Sequence, residues 1–276
     1  PCGMVCASAV YVVDVTTLYF LHTTVLSPWL SGVAYGAASV TLVTLVALSL
    51  VSHARAMLSN PGAVPANARP TDAAGFERHC SKCANFKPPR AHHCSICHRC
   101  VVKMDHHCPW INSCVGLANH KYFVLFVFYI FTYAAVALAL MFGRFMHCLS
   151  PTNVCDTPPG HTVAHIMLAI VAILFGLFTG CLFFDQLNNI ATNTTQIDRM
   201  KGEGRADADA AAMDIDDRKQ LWHNLGEVFG GDPARNGVHW TWLLPTPVTF
   251  RDPEGLSGFC FRDVPRPRTA TELEMV

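Results

Sequence analysis

An all-α integral membrane protein, with four transmembrane helices and a cysteine-rich domain between helices 2 and 3, is the fold class this sequence predicts. Three observations predict it: a shortage of charge, four long apolar stretches, and one segment crowded with cysteine and histidine. Of 276 residues, 51% are hydrophobic and only 14% charged, whereas soluble domains carry about 25% charged residues. Lys and Arg number 20 and so do Asp and Glu. That balance gives no electrostatic reason to expect a nucleic-acid partner. The chain opens on Pro1, so an authentic N-terminus is expected further upstream.

The four stretches run from about Met4 to Leu26, Gly32 to Val51, Tyr122 to Phe142 and Val163 to Phe184. Each approaches or exceeds the roughly 20 residues of helix that cross a bilayer. The first contains Asp14 near its middle. An acid at that depth is a functional candidate; the plainer expectation is a bundle-facing carboxyl bonded to a hydroxyl. The same stretch lacks the basic start and small-residue cleavage pattern of a signal peptide.

Basic residues orient the spans. Nine of the 20 lie from Arg55 to Lys121 and ten from Arg199 to Arg268; Arg144 alone lies between spans three and four. Positive charge stays on the cytoplasmic side. Both termini and the cysteine-rich segment are therefore expected in the cytosol, and Ser27–Ser31 and Gly143–Thr162 on the opposite side. The resulting layout is residues 1–51 for spans 1 and 2, 52–121 for the cytosolic cysteine-rich domain, 122–184 for spans 3 and 4 with their 143–162 loop, and 185–276 for a cytosolic C-terminal region. Cys148 and Cys155 fall in the non-cytosolic loop, as a disulfide or as two free thiols.

In the reducing cytosol a cysteine cluster points to metal or catalysis. The segment reads Cys80-x2-Cys83, His93-Cys94-x2-Cys97-x2-Cys100, Asp105-His106-His107-Cys108, and Cys114. The C-x2-C spacing lets two thiolates reach one tetrahedral metal from a tight turn. Pro88 and Pro89 disfavour a helix here, and so few apolar residues make no core, so the segment needs staples. Two zinc sites need eight ligands. One partition takes all seven cysteines and one histidine, a purely structural module. Another takes six cysteines and two histidines and leaves a cysteine free. Spacing alone does not choose.

The stretch Asp105-His106-His107-Cys108-Pro109-Trp110, then Asn112 and Cys114, with Lys87-Pro88-Pro89-Arg90-Ala91-His92-His93-Cys94 before it, resembles the cysteine-rich domain of the DHHC family of protein S-acyltransferases (palmitoyltransferases). The layout of two spans, cytosolic domain and two spans is similar to that family as well. The resemblance implies two interleaved structural Zn2+ sites, one of Cys80, Cys83, His93 and Cys100, the other of Cys94, Cys97, His107 and Cys114. Cys108 is then the unliganded thiol. His106 suits the base that takes its proton, and Asp105 can hold the imidazole tautomer.

The implied activity is transfer of a long-chain acyl group, such as palmitoyl, from acyl-CoA to cysteines of membrane-associated proteins. Its setting is the lipid bilayer of the ER, Golgi or plasma membrane. Thirteen residues separate Cys108 from Tyr122, which keeps the thiol near the membrane surface, where the acyl tail can lie among the helices. Lys87 and Arg90 are candidates for the CoA phosphates, and Trp110 is a further cofactor-binding candidate. The competing expectation is a membrane-anchored zinc module that binds partners without catalysis.

Three further stretches are similar to the family. Asn60-Pro61-Gly62 resembles its Asp-Pro-Gly. Thr195-Gln196-Ile197-Asp198 departs from its Thr-Thr-x-Glu at the second and last positions. Asn224 with Val228-Phe229-Gly230 resembles its C-terminal motif, in which the Asn braces the domain against the membrane helices. Lys201–Asp217 reads as a linker, Leu221–Phe229 as an interfacial helix, and the chain beyond Gly231 as a loose tail containing Cys260.

Overall fold

A computed structural model describes residues 2–66, 68–70, 78–153, 155, 158–202, 217–230 and 238–248. Among the described residues, four helices are long and apolar enough to cross a membrane. Helix α1 (Cys2–Phe20) runs on into a π-helical segment, Leu21–Leu26. Helix α2 spans Gly32–Leu58, α3 spans His120–Leu149 and α4 spans Pro159–Ala191. The last three run past the apolar stretches because polar ends continue the same helices. Their limits follow local chemistry. Pro159 starts α4, where a fixed φ and missing N–H cost nothing. Ser59 and Ser150 end α2 and α3 in extended conformations, Ser150 directly before Pro151, which disfavours the helical region for its predecessor.

Helix α3 is the centre of the bundle. In its most apolar window 56% of residues are buried, against 17–22% in the other three. Its inner face joins two clusters. Tyr122, Phe123, Phe126, Val127 and Ile130 pack with Val10, Ala56 and Cys108; Tyr133 and Ala137 pack with Leu21, Val25, Leu42 and Leu168. Leu174, Leu177 and Phe184 of α4 stay exposed, as lipid-facing positions do. Several polar side chains inside the bundle find partners, as the cost of an unpaired group in hydrocarbon, several kcal/mol, favours. Ser49 donates to Asp14 Oδ2 (3.1 Å) and the Tyr133 hydroxyl to Thr17 Oγ1 (3.1 Å). Asp14 is thus the hydroxyl-bonded, bundle-facing acid. Cys148 and Cys155 form a disulfide, their Cα atoms 5.5 Å apart.

The all-α expectation needs correction between α2 and α3. Residues 79–115 fold as three antiparallel β-hairpins: β1 (His79–Cys80) with β2 (Asn85–Phe86), β3 (Ala91–Cys94) with β4 (Arg99–Val102), and β5 (His106–Cys108) with β6 (Ser113–Val115). Strands of two to four residues bury too little to stand alone, and the convergence of their sulfurs, described below, holds them. The hairpins dock under the end of α2. Asn60 Oδ1 accepts from the backbone N–H groups of Gly62 (3.0 Å) and Ala63 (2.7 Å), and Gly62 O accepts from Val102 N–H (2.9 Å). Gly116 fits there because it lacks a Cβ, which would sit 2.6 Å from Pro61 O. Asn119 ties three parts together, donating to Ala56 O and Cys114 O and accepting from Gly116 N–H.

Beyond α4 come α5 (Gln196–Lys201) and α6 (Asp217–Phe229). Asn224 donates to Ala191 O at the end of α4 (2.8 Å), a brace of the kind the motif suggests. The loose-tail expectation is corrected for 238–248. A 3₁₀ turn, Trp240–Leu243, is held by Lys121 Nζ on Thr241 O (2.9 Å) and by the Tyr129 hydroxyl on Leu243 O. Most of the Lys201–Asp217 linker, and Cys260, lie outside the described residues.

Candidate active site and metal centres

Two groups of four ligand atoms converge. Cys80, Cys83, His93 and Cys100 form one; Cys94, Cys97, His107 and Cys114 form the other; within each, all ligand atoms lie within 4.8 Å of one another. Zn–S bonds of about 2.3 Å and Zn–N bonds of about 2.0–2.1 Å imply tetrahedral edges of about 3.5–3.8 Å. In the first group His93 Nδ1 lies 3.7, 3.1 and 4.0 Å from the sulfurs of Cys80, Cys83 and Cys100. In the second, His107 Nδ1 lies 3.7, 3.4 and 3.8 Å from those of Cys94, Cys97 and Cys114. The sulfurs of Cys83 and Cys100 are 3.7 Å apart, those of Cys97 and Cys114 3.6 Å. Both groups fit tetrahedral zinc.

The two groups are one pattern used twice. Adding 14 to 80, 83, 93 and 100 gives 94, 97, 107 and 114. The first position continues to a third copy, 108. Strands β1, β3 and β5 all end on these cysteines, each preceded by a histidine: His79, His93 and His107. Four residues after each comes a left-handed residue: Ala84 (φ 48°), His98 (φ 51°) and Asn112 (φ 47°). In the third copy the second cysteine position holds Ile111, fully buried. Cys108 therefore occupies a zinc-hairpin position without the partner that would make it a ligand.

Cys108 has a different partner. Asp105 Oδ2 accepts from His106 Nδ1–H (2.8 Å), so the ring's other nitrogen is available to the Cys108 sulfur. Burial opposes a charged ring, but the hydrogen bond to Asp105 and the Cys108 sulfur outweigh it, and the His106 pKa rises to about 9. Burial likewise opposes an ionised Asp105, yet its His106 bond and the Gln196 N–H hold its carboxyl below the usual carboxylate value. Asp105 is 2% exposed, and four donors cover it. His106 and Gln186 Nε2 (3.0 Å) reach Oδ2; Gln196 N–H (2.7 Å) and Asn189 Nδ2 (3.3 Å) reach Oδ1.

On its other side Cys108 borders an apolar cavity between the helices. With Trp110 and Phe123 it lines one end; the walls continue through Val10, Val13, Asp14, Ile130, Tyr133 and Thr179 to Ala137, Met141, Leu21 and Leu168. From Phe123 to Met141 is about 27 Å of helix rise, close to the roughly 30 Å thickness of a bilayer's hydrocarbon. The loop after Cys108 is held from below. His53 Nε2–H donates to Trp110 O (2.8 Å), which leaves Nδ1 to accept from the Tyr11 hydroxyl (3.1 Å).

The candidates for the CoA phosphates fare differently. Arg90 is engaged elsewhere: Nε and Nη2 donate to Asp198 Oδ2 (3.2 and 2.7 Å), and Nη1 and Nη2 to Asn193 (3.0 and 2.8 Å). A carboxylate at that distance offsets part of its charge, and in this structure Arg90 braces the hairpins against the α4–α5 turn. Lys87 sits between β2 and β3, its backbone N–H on Arg78 O (3.0 Å). The departures at 195–198 are explained. Thr195 and Asp198 form a reciprocal cap at the start of α5. Gln196 serves Asp105 through its backbone, so a Thr side chain is not required there.

A cysteine beside an Asp–His couple, two four-ligand Cys/His groups that fit zinc, and an apolar cavity among four helices apolar enough to span a membrane define the class of site. A family model described as DHHC palmitoyltransferase matches residues 74–203. The chain is 37% identical over 248 residues to palmitoyltransferase ZDHHC7 of Mus musculus, covering 84% of this chain and 76% of that protein. It is 38% identical over 197 residues to palmitoyltransferase ZDHHC3 of Rattus norvegicus, covering 67% of this chain and 63% of that protein. It is 32% identical over 216 residues to probable protein S-acyltransferase 12 of Arabidopsis thaliana, covering 73% and 70%. The chain belongs to the DHHC palmitoyltransferase family. It spans 63% of the length of the rat and human ZDHHC3 proteins.

Proposed function

We propose that this chain is a protein S-acyltransferase. It moves a long-chain acyl group, palmitoyl in the first instance, from acyl-CoA to cysteine thiols of membrane-associated proteins, by way of acyl-Cys108. The carrying observation is the position of Cys108, with His106 on its polar side and the apolar cavity on the other. Such a site holds a thioester whose tail is apolar and whose head is not.

In the first step the proton of Cys108 passes to His106, the sulfur attacks the thioester carbonyl, and CoA leaves as its thiol with the proton from His106. In the second, an acceptor cysteine gives its proton to His106 and attacks acyl-Cys108, and the Cys108 sulfur leaves and is reprotonated. Asp105 fixes the His106 tautomer and favours the imidazolium. Cys80, Cys83, His93 and Cys100, and Cys94, Cys97, His107 and Cys114, each hold one zinc, which supplies structural cross-linking of the hairpins. Cys108→Ser is expected to keep two zinc ions per chain and to lose acyl transfer to an acceptor thiol. A fall from two zinc ions to one, read by metal analysis, would make Cys108 a ligand and favour the non-catalytic zinc module.

Both termini and the hairpins face the cytosol of an endomembrane or the plasma membrane. The distribution of basic residues and the Cys148–Cys155 disulfide in the opposite loop support this, since disulfides persist in oxidising compartments. A C-terminal reporter in sealed cytosol-out vesicles is expected to be cleaved by added protease. Protection of the reporter, with cleavage in the 143–162 loop, would reverse the orientation.

A further inference from the structure

The face of α4 that walls the cavity does not stop at the cavity. Phe175, Thr179 and Leu182 line it; the next positions on that stripe are Gln186 and Asn189, which reach Asp105. Gln186 is fully buried. A buried amide is expensive unless both of its ends are used, and here both are. Its Oε1 accepts from His120 Nε2–H (2.7 Å), and its Nε2 donates to Asp105 Oδ2 (3.0 Å), the same oxygen that accepts from His106.

We propose that Gln186 is a positioning residue for the Asp105–His106 pair, and that His120 sets which way Gln186 faces. This rests on the acyl-transfer reading above. An amide has one accepting and one donating end. Its oxygen is committed to His120, so only the NH2 group can face the carboxylate. Turned around, Gln186 would set its oxygen against an acidic oxygen, leaving two buried acceptors opposed. The other carboxylate oxygen is anchored by Gln196 N–H and Asn189, so the Gln186 bond fixes the rotation of Asp105 about that anchor. His106 follows Asp105, and its free nitrogen follows in turn. The relay runs from α3 through α4 to the nucleophile. It leaves the acyl cavity alone, since neither Gln186 nor His120 lines it.

The test uses the purified full-length protein, palmitoyl-CoA and the rate of hydroxylamine-labile acyl-Cys108 formation. Gln186→Leu is expected to lower the saturating rate on the order of a hundredfold, the effect of about 1 Å of misplacement, with KM for palmitoyl-CoA and the two zinc ions unchanged. His120→Leu is expected to match it, and His120→Gln, which keeps a donor near the Nε2 position, to recover most of the rate. A second readout needs no acyl-CoA: alkylation of Cys108 by iodoacetamide, followed on the Cys108 peptide, is expected to slow roughly tenfold in Gln186→Leu as the thiolate loses its partner. Wild-type rates in Gln186→Leu, zinc loss in step with rate loss, or no difference between His120→Leu and His120→Gln would each overturn the proposal. A wild type that forms no acyl-enzyme, yet is alkylated faster than Gln186→Leu, would fault the acyl-transfer reading and leave the brace standing.

Discussion

Cys83→Ser is expected to release zinc from the first site, unfold the hairpins and take acyl-enzyme formation to background, although Cys83 belongs to the other cluster from the one that flanks the nucleophile. The magnitudes decide this. Structural zinc contributes about 10–16 kcal/mol of apparent binding free energy in small zinc modules, whereas whole domains are stable by about 5–15 kcal/mol. Residues 79–115 have little else to hold them: strands of two to four residues and small apolar clusters around Val101 and Val102. The clusters interleave, since His93 and Cys94 are neighbours on β3 and serve different sites. Losing one site therefore strips support from the other and from β5, which ends on Cys108. Metal analysis and a melting curve check the expectation. Two zinc ions and an unchanged midpoint in Cys83→Ser would contradict it.

Asp105→Asn is expected to keep both zinc ions and lower the rate of acyl-enzyme formation by on the order of 10⁴, the loss seen when the acid of an acid–His–nucleophile triad becomes an amide. The reason is the hydrogen-bond pattern. His106 Nδ1–H donates to Asp105 Oδ2. An Asn that keeps its oxygen toward Gln196 N–H and Asn189 turns its NH2 toward His106 and reverses the tautomer, so the nitrogen near Cys108 becomes a donor and no longer takes the thiol proton. His106→Ala should resemble Asp105→Asn in keeping zinc, whereas His107→Ala should lose one zinc. Rapid-quench kinetics beside metal analysis separates the three. A rate within tenfold of wild type in Asp105→Asn would remove Asp105 from the mechanism.

Much of this was legible in the sequence. The four spans were, because a run of about 20 apolar residues has few alternative fates. The metal clusters were in outline, because C-x2-C pairs announce themselves. The hairpins were not: β1 and β2 have two residues each, too few for a period-2 pattern. The 14-residue repeat was present in the numbering of the cysteines and shows why Cys108 stands apart, but pairwise reading of C-x2-C units conceals it. The centrality of α3 was hidden because lipid-facing and buried positions are both apolar. Gln186 and His53 were invisible for another reason. A polar residue in an apolar helix announces that it has a partner, not which one, and theirs lie 66 and 57 residues away at His120 and Trp110. The bracing contacts of Arg90 were hidden in the same way, because its carboxylate partner, Asp198, lies 108 residues further on.

The central claim is that Cys108 carries the acyl group. Purified wild-type protein incubated with labelled palmitoyl-CoA, then digested and mapped by mass spectrometry, tests it most directly. The expected result is one hydroxylamine-labile palmitoyl group on the peptide containing Cys108, formed within a single turnover and discharged by an acceptor thiol. An acyl group that maps only to other cysteines, or a Cys108 peptide that stays unmodified while acceptor thiols become acylated, would contradict it.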